Sequence, residues 1–348
     1  QKQAETLALS NRNYQLANRD SLTNLANRRC FFSEFDRKVD NALNDGAPLT
    51  VGLIDLNGFK ALNDIYGHAV GDKVLEAAAQ RLEECCQGEI FLSRLGGDEF
   101  AVLIDQDVNG SDLLQIGENF CAVLAQPFAM LEGELTISAS VGFARHRDLW
   151  SMTQLYERAD FALYQAKRDR GAQIVAFDQE HEAIIRRTKQ LDAGLRSSSI
   201  EREMSVMYQP MIDVTTGQVI AFEALARWTS PVLGNVSPAD FIPAAERNGF
   251  IGPLTLILFR KALAAAMDWP ASVHLSFNLS ANNITSEDFV GKVIEEVSRS
   301  EVDATRIEFE ITETALIRDH DQVQAAIARF KELGILISLD DFGTGYSS

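Results

Sequence analysis

Two sets of oxygen-rich side chains are spaced so that folding could gather each at one point. In the first, Asp55 ends the apolar, partly β-branched run Leu49 to Leu56, which reads as a buried strand. Asp98 and Glu99 follow Gly96-Gly97 between two short apolar runs, which read as a β-hairpin. If the hairpin pairs beside the strand, three carboxylates meet at one end of a sheet. They repel unless a cation joins them, so the set could hold Mg2+ with phosphate oxygens completing its shell. A bare Gly-Gly-Asp-Glu is more simply an exposed acidic turn. Asn63, His68 and Asp72 follow in the sequence. The amide can face the acceptors of guanine and the carboxylate its N–H donors, with His68 beside the base. The same residues also read as a turn and the start of a helix.

In the second set, Glu223, Asn278, Glu310 and the pair Asp340-Asp341 fall at or near the C-terminal ends of separate candidate strands. In a parallel barrel those ends share one mouth, where active sites sit. Four carboxylates and an amide there would suit Mg2+, Mn2+ or Ca2+, and adjacent aspartates could bridge two ions. Acidic residues also cap helices that follow strands. That explains one or two of these positions more readily than five.

The elements that must position these residues form two grammars. After the strand at Leu49 comes a helical stretch from Phe59 to about Cys86. Then come the hairpin, a helix, a strand from Leu135 to Phe143 and a helix from Leu155 to Lys167. This makes an α/β domain ending near Asp178. Gln179 to Glu201 is charge-rich and reads as a helical linker. Beyond it, candidate strands Val206–Asp213, Val219–Trp228, Val273–Leu279, Arg306–Thr312 and Ile335–Asp341 alternate with helical stretches such as Leu254–Met267 and Asp321–Leu333. Repeated βα units suggest a parallel barrel. The expected parts are an N-terminal helix over 1–18, with a seam at Ala4, Leu7, Asn11 and Tyr14, then 19–178, a linker over 179–199, and 200–348. About 149 residues remain for a barrel whose eight units usually take about 250, so further residues are expected beyond Ser348. The first residue is Gln, which points to a segment upstream, expected to be a sensory module.

Composition narrows the function classes. Lys plus Arg number 32 and Asp plus Glu 50, a formal charge of −18. That excludes a broad basic surface for a nucleic-acid polymer, but not a nucleotide held through a divalent cation. No secretory signal or membrane span is visible. The four cysteines, Cys30, Cys85, Cys86 and Cys121, form no Cys-x-x-Cys pair. A cytoplasmic protein, or the cytoplasmic part of a membrane-anchored one, is expected.

Four ordered blocks then stand out: Asp20-Ser-Leu-Thr-Asn-Leu-Ala-Asn-Arg28, Asp55-Leu-Asn-Gly-Phe-Lys60, Asn63-Asp-x-x-Gly-His-x-x-Gly-Asp72 and Arg94-Leu-Gly-Gly-Asp-Glu-Phe100. Over about 19–178 they resemble the GGDEF family of diguanylate cyclases. The resemblance implies a palm-like α/β fold and condensation of two GTP into cyclic di-GMP. It implies Asp55, the Leu56 carbonyl and Asp98 as Mg2+ ligands, Asp98 as base for the 3′-hydroxyl, and Glu99 in support. Asn63 and Asp72 would hold guanine with His68 alongside, and Lys167 would meet the triphosphate. Each domain would hold one GTP, so a homodimer is expected. Gln87 and Ile90 stand where the family often carries an inhibitory Arg-x-x-Asp, so that product site is expected to be absent. The Arg-Asp-Arg-Gly run after Lys167 departs from the family's usual Gly-Arg-Asn, leaving Arg170 as a candidate second cation.

Six further blocks resemble the EAL family of cyclic di-GMP phosphodiesterases, from about residue 200 to the last. They are Tyr208-Gln-Pro210, Glu223-Ala-Leu-Ala-Arg-Trp228, Pro238-x-x-Phe-Ile-Pro243, Asn278-Leu-Ser280, Glu310-Ile-Thr-Glu313 and Asp340-Asp-Phe-Gly-Thr-Gly345. This resemblance implies a TIM-like (β/α) barrel, here incomplete, and hydrolysis to pGpG with Mg2+ or Mn2+. Glu223, Asn278, Glu310 and Asp340 would bind a first metal, and Asp340 and Asp341 a second. Gln209 and Arg227 would hold the ligand. The family's later Lys, general-base Glu and Gln would lie beyond Ser348, so hydrolysis by the 348-residue piece is expected to be absent. The expectation is a protein that makes and breaks cyclic di-GMP. The alternatives are a phosphodiesterase with a GTP-binding regulatory domain and a non-catalytic receptor.

Overall fold

The apolar run Thr50–Asn57 (β2) is the strand around which the first half of the chain is built. Seven of its eight residues are buried, as befits a central strand covered on both faces. The structure, a computed structural model, describes residues 17–86, 90–130, 133–147, 150–168, 173–312 and 319–340. The chain divides into two units, Gln1–Ala183 and Ile184–Ser348. The expected helix over 1–18 falls almost wholly outside the described residues, as do Gln87, Arg170, Glu313 and Asp341.

In the first unit β1 (Ala26–Asn27) leads into α1 (Arg28–Asp45), and β2 is followed by α2 (Phe59–Tyr66) and α3 (His68–Cys86). Next come β3 (Phe91–Gly96), β4 (Glu99–Ile104), α4 (Gly110–Ala125), β5 (Phe128–Met130), β6 (Gly133–Leu135), β7 (Ser138–Arg145), α5 (Met152–Arg168) and β8 (Ile174–Ala176). The main sheet runs β1-β3-β4-β2-β7-β8, with β2 antiparallel to both β4 and β7. β5 and β6 pair separately.

Three elements differ from the sequence expectation. The single helix expected from Phe59 to Cys86 is two helices, because Gly67 takes a left-handed φ of 83° that a continuing helix excludes. The strand expected from Leu135 to Phe143 is split between β6 and β7. Helix α1 was not anticipated, although Asn27 caps it by accepting from Cys30 N and left-handed Gly46 ends it.

Helix α6 (Gln179–Leu195) follows, and Ser197–Ser199 separate it from the short α7 (Ile200–Glu203). The expected linker helix is therefore two helices. In the second unit β9 (Met204–Ile212) and β10 (Val219–Ser230) are antiparallel, a difference from the uniformly parallel pattern expected. The physical reason is the short connection. Asp213 Oδ1 accepts from Thr215 N at 2.7 Å and Thr216 N at 2.8 Å, and Gly217 turns left-handed, so the chain reverses at once.

β11 (Gly234–Val236), α8 (Pro238–Arg247) and α9 (Ile251–Ala266) lead to β12 (His274–Leu279). α10 (Ala281–Ile284) and α11 (Glu287–Arg299) lead to β13 (Ile307–Thr312), and α12 (His320–Glu332) leads to β14 (Leu336–Asp340). β10, β12, β13 and β14 are parallel neighbours in that order, the successive βα units of a TIM-like wall. Trp228, Phe241, Phe259, Phe277, Phe309 and Phe330 fill the core between strands and helices. Both units are thus α/β. Among the described residues no helix is long and apolar enough to cross a membrane.

Helix α5 reaches the sheet only because Gly142 on β7 has no side chain. A Cβ there would stand 2.1 Å from Leu163 N and 2.5 Å from Ala159 O, both helix backbone that cannot step aside. Gly142→Ala is expected to destabilise the first unit by roughly 3 kcal/mol or more. Urea unfolding of the variant beside wild type checks this, and an unchanged midpoint would contradict the packing.

Candidate functional site

The β2–β4 pairing sets Asp55 directly opposite Glu99, and on the other side opposite Ser140. Asp98 lies in the turn just before β4, and its carbonyl accepts from Leu56 N at 3.3 Å. Gly96 and Gly97 make that turn at φ 135° and 55°, values a side chain would strain. Arg94 braces it, donating to Gly97 O through Nε at 3.1 Å and Nη2 at 2.8 Å. Its Nη1 donates to Asp20 Oδ1 at 2.9 Å, which also accepts from Thr23 N and Thr23 Oγ1. Burial pushes the Asp20 carboxyl up, but these Thr23 and Arg94 contacts outweigh it and hold the group below its ordinary range. The bracing role of Asp20 and Arg94 was not read from the sequence, although both stand in the quoted blocks.

Lys167, in the last turn of α5, places Nζ 2.7 Å from Asp55 Oδ2. The Asp55 carboxyl nevertheless sits above its usual range. Desolvation is the largest cause, Lys167 opposes it, and the Asp98 charge adds to it. Glu99 keeps substantial exposure, yet its carboxyl is also raised, chiefly by desolvation and then by Asp55, with Lys167 and Arg28 opposing. The three acidic side chains therefore form a cluster whose negative charge one ammonium does not fully balance. Among the described residues no group of three or more His, Cys, Asp or Glu side chains is arranged as a closed metal cage. The chemistry of the donors fits a hard divalent ion shared with phosphate oxygens, which needs only one or two protein carboxylates.

Asn63 lies on α2, and its carbonyl accepts from Gly67 N at 2.8 Å at the helix end. Its side-chain Oδ1 is buried and has no hydrogen-bond partner. His68 and Asp72 are exposed, four residues apart and so on one face of α3. These three residues hang from the end of β2 through the Gly58 turn that starts α2.

In the second unit Asn278 Nδ2 donates to Glu223 Oε1 at 2.9 Å, joining β12 to β10. Asn278 is the register partner of Glu310 on β13, and Glu310 that of Ser338 on β14. Ser276 Oγ donates to Glu310 Oε1 at 2.5 Å. Ser276 and Asn278 are two apart on one strand, so Glu223, Asn278 and Glu310 share one face of the sheet. The buried Ser338 Oγ lacks a partner. Asp340 ends β14 as the register partner of Thr312. Gln209 is the register partner of Glu223, while Arg227 donates to Ala226 O at 2.8 Å. A cavity of about 450 Å³ lined by Arg227, Asn278, Thr312, Phe241 and Phe277 opens beside them, within the usual size of small-ligand sites. Ser276 and Ser338 escaped the sequence reading. The strand period of two, counted back from Asn278, was the available signal for Ser276.

The model of the family described as "Diguanylate cyclase, GGDEF domain" matches residues 17–173, and that of the EAL domain matches residues 192–348. The chain is a tandem GGDEF–EAL protein. It is 33% identical over 351 residues to the bifunctional diguanylate cyclase/cyclic di-GMP phosphodiesterase MucR of Pseudomonas aeruginosa, covering 99% of this chain and 51% of MucR. It is 33% identical over 337 residues to the cyclic di-GMP phosphodiesterase PdeR of Escherichia coli, covering 96% of this chain and 50% of PdeR. The chain thus spans about half the length of these curated relatives. The S helix-GGDEF-EAL structure of Vibrio cholerae LapD shares the fold, with a TM-score of 0.57 and 16% identity over 99% of this chain and 81% of that one.

Because the Asp55 carboxyl is raised, its charge costs stability above the raised value, and that cost vanishes below the ordinary carboxylate range. Asp55→Asn is therefore expected to raise the melting midpoint of the ligand-free GGDEF–EAL chain at pH 7.5, by about 2–4 °C for each ~1 kcal/mol relieved. For the same reason, the gap between the variant and wild type is expected to shrink as pH falls toward the ordinary carboxylate range. Differential scanning calorimetry across pH checks both. A lower midpoint for the variant would contradict the electrostatic reading.

Proposed function

We propose that the GGDEF unit condenses two GTP into cyclic di-GMP with release of pyrophosphate, and that the EAL unit of the whole protein hydrolyses cyclic di-GMP to pGpG. The observation that carries the first half is a buried aspartate, Asp55, held against two more carboxylates with one lysine on it. In this reading Asp55, the Leu56 carbonyl and Asp98 hold Mg2+ or Mn2+, and Glu99 supports them. Asn63 and Asp72 hold guanine with His68 alongside. Asp98 takes the proton of the 3′-hydroxyl. Lys167 leaves Asp55 for the triphosphate once a stronger cation shares the carboxylate. Each unit brings one GTP, so two copies of the chain face each other for the reaction.

In the EAL unit Glu223, Asn278, Glu310 and Asp340 hold one divalent ion, and Asp340 with Asp341 a second. Gln209 and Arg227 grip the ligand, Arg227 from the cavity wall. A bound divalent ion supplies positive charge that lowers the pKa of the attacking hydroxyl or water and neutralises the phosphate. The hydrogen bond between Asn278 and Glu223 and that between Ser276 and Glu310 set those side chains before any ion arrives. A second reading, a phosphodiesterase whose GGDEF unit only binds GTP and regulates, is favoured by the likeness to PdeR.

The test is nucleotide analysis of the full-length protein after separate incubation with GTP and with cyclic di-GMP, each with Mg2+. Wild type is expected to form cyclic di-GMP from GTP. Asp98→Ala is expected to lower this by at least ~100-fold while leaving hydrolysis intact. Glu223→Ala is expected to do the reverse. Equal cyclic di-GMP from wild type and Asp98→Ala would overturn the cyclase claim. No product from wild-type protein with intact hydrolysis would favour the regulatory reading.

A further inference from the structure

We infer that Gly71 is a positioning residue for Asn63, and so sets the GGDEF unit's preference for guanine. This rests on the reading of Asn63 as a guanine-holding residue. Helix α2 ends where Gly67 N donates to Asn63 O, and α3 starts at once with His68. The tight turn lays the first turn of α3 over the Asn63 side chain. Gly71 is buried at this crossing, and a Cβ there would stand 2.0 Å from Asn63 Oδ1, 3.0 Å from Asn63 Cγ and 3.2 Å from Phe59 Cζ. The amide oxygen therefore rests against the bare Cα of Gly71, a position where only a weak C–H···O contact is on offer.

A buried, unpartnered amide oxygen is costly, and most such groups find a donor. Here the crowding of α2 against α3 fixes the side chain instead. With Oδ1 lodged under α3, Nδ2 is the group left to donate to an acceptor on a base. Gly71 has no left-handed φ, so the backbone itself does not require glycine there. Helix propensity alone would favour alanine. The glycine is explained by the space Asn63 occupies. An alanine would drive the amide out of its slot, since the clash is with the end of a side chain that can rotate away.

The experiment is calorimetric titration of the full-length protein with the α-thio analogues of GTP and ATP in Mg2+, alongside thermal melts. Gly71→Ala is expected to weaken the GTP analogue by about tenfold or more, to narrow the preference over the ATP analogue, and to keep the wild-type melting midpoint. Asn63→Ala is expected to weaken binding similarly, and the double variant to bind no worse than Asn63→Ala alone. If Gly71→Ala binds like wild type while Asn63→Ala does not, the inference fails and the guanine reading stands. If Asn63→Ala binds like wild type, both fail. Should Gly71→Ala alone not fold, recovery of folding in the double variant supports the clash with Asn63. Failure of both to fold assigns Gly71 to backbone packing and overturns the inference.

Discussion

Antiparallel pairing of one buried strand with one hairpin strand forces like charges together, and the arrangement of the GGDEF unit follows from that. Register leaves Asp55 no choice but to face Glu99, and the glycine turn brings Asp98 beside them. Burial and mutual repulsion keep the Asp55 and Glu99 protons on to higher pH than usual. The fold answers with one lysine from α5, and it delivers that lysine by letting the helix lie directly on Gly142. Such an incompletely balanced site costs stability, the trade-off expected where function and stability compete.

The EAL unit manages its polar groups differently. Glu223 and Glu310 each receive a neutral donor, the Asn278 amide and the Ser276 hydroxyl, so the polar face is knit before a ligand arrives. The end of β10 is anchored from behind. Buried Trp228 donates through Nε1 to Glu203 Oε2 at 2.9 Å, and Gly194 of α6 leaves room for its ring. Arg227, which lines the cavity, is the neighbour of this anchored residue on β10.

Much of the fold was legible in the sequence for identifiable reasons. Buried central strands write themselves as largely apolar runs, as Val51–Ile54 does within Thr50–Asn57. The Gly-Gly-Asp turn declares its hairpin. What was missed depended on single glycines and on partners far away in sequence. Gly67 breaks an otherwise continuous apolar period, and only the turn reading of the stretch from Asn63 to Asp72 signals the break. The reversal between β9 and β10 hides in a six-residue turn, Asp213 to Gln218, that resembles any other loop. Asp20 and Arg94 are 74 residues apart, so their ion pair is not visible until the chain folds.

The claim on which the account turns is that Asp55 and Asp98 share a divalent ion while Lys167 yields its place. The most direct measurement is an anomalous-difference map from crystals of the protein grown with Mn2+ and a non-reacting GTP analogue. A metal peak is expected about 2.1 Å from a carboxylate oxygen of each aspartate, with Lys167 moved onto a phosphate. A peak elsewhere, or a lysine still bonded to Asp55 in the nucleotide complex, would contradict it.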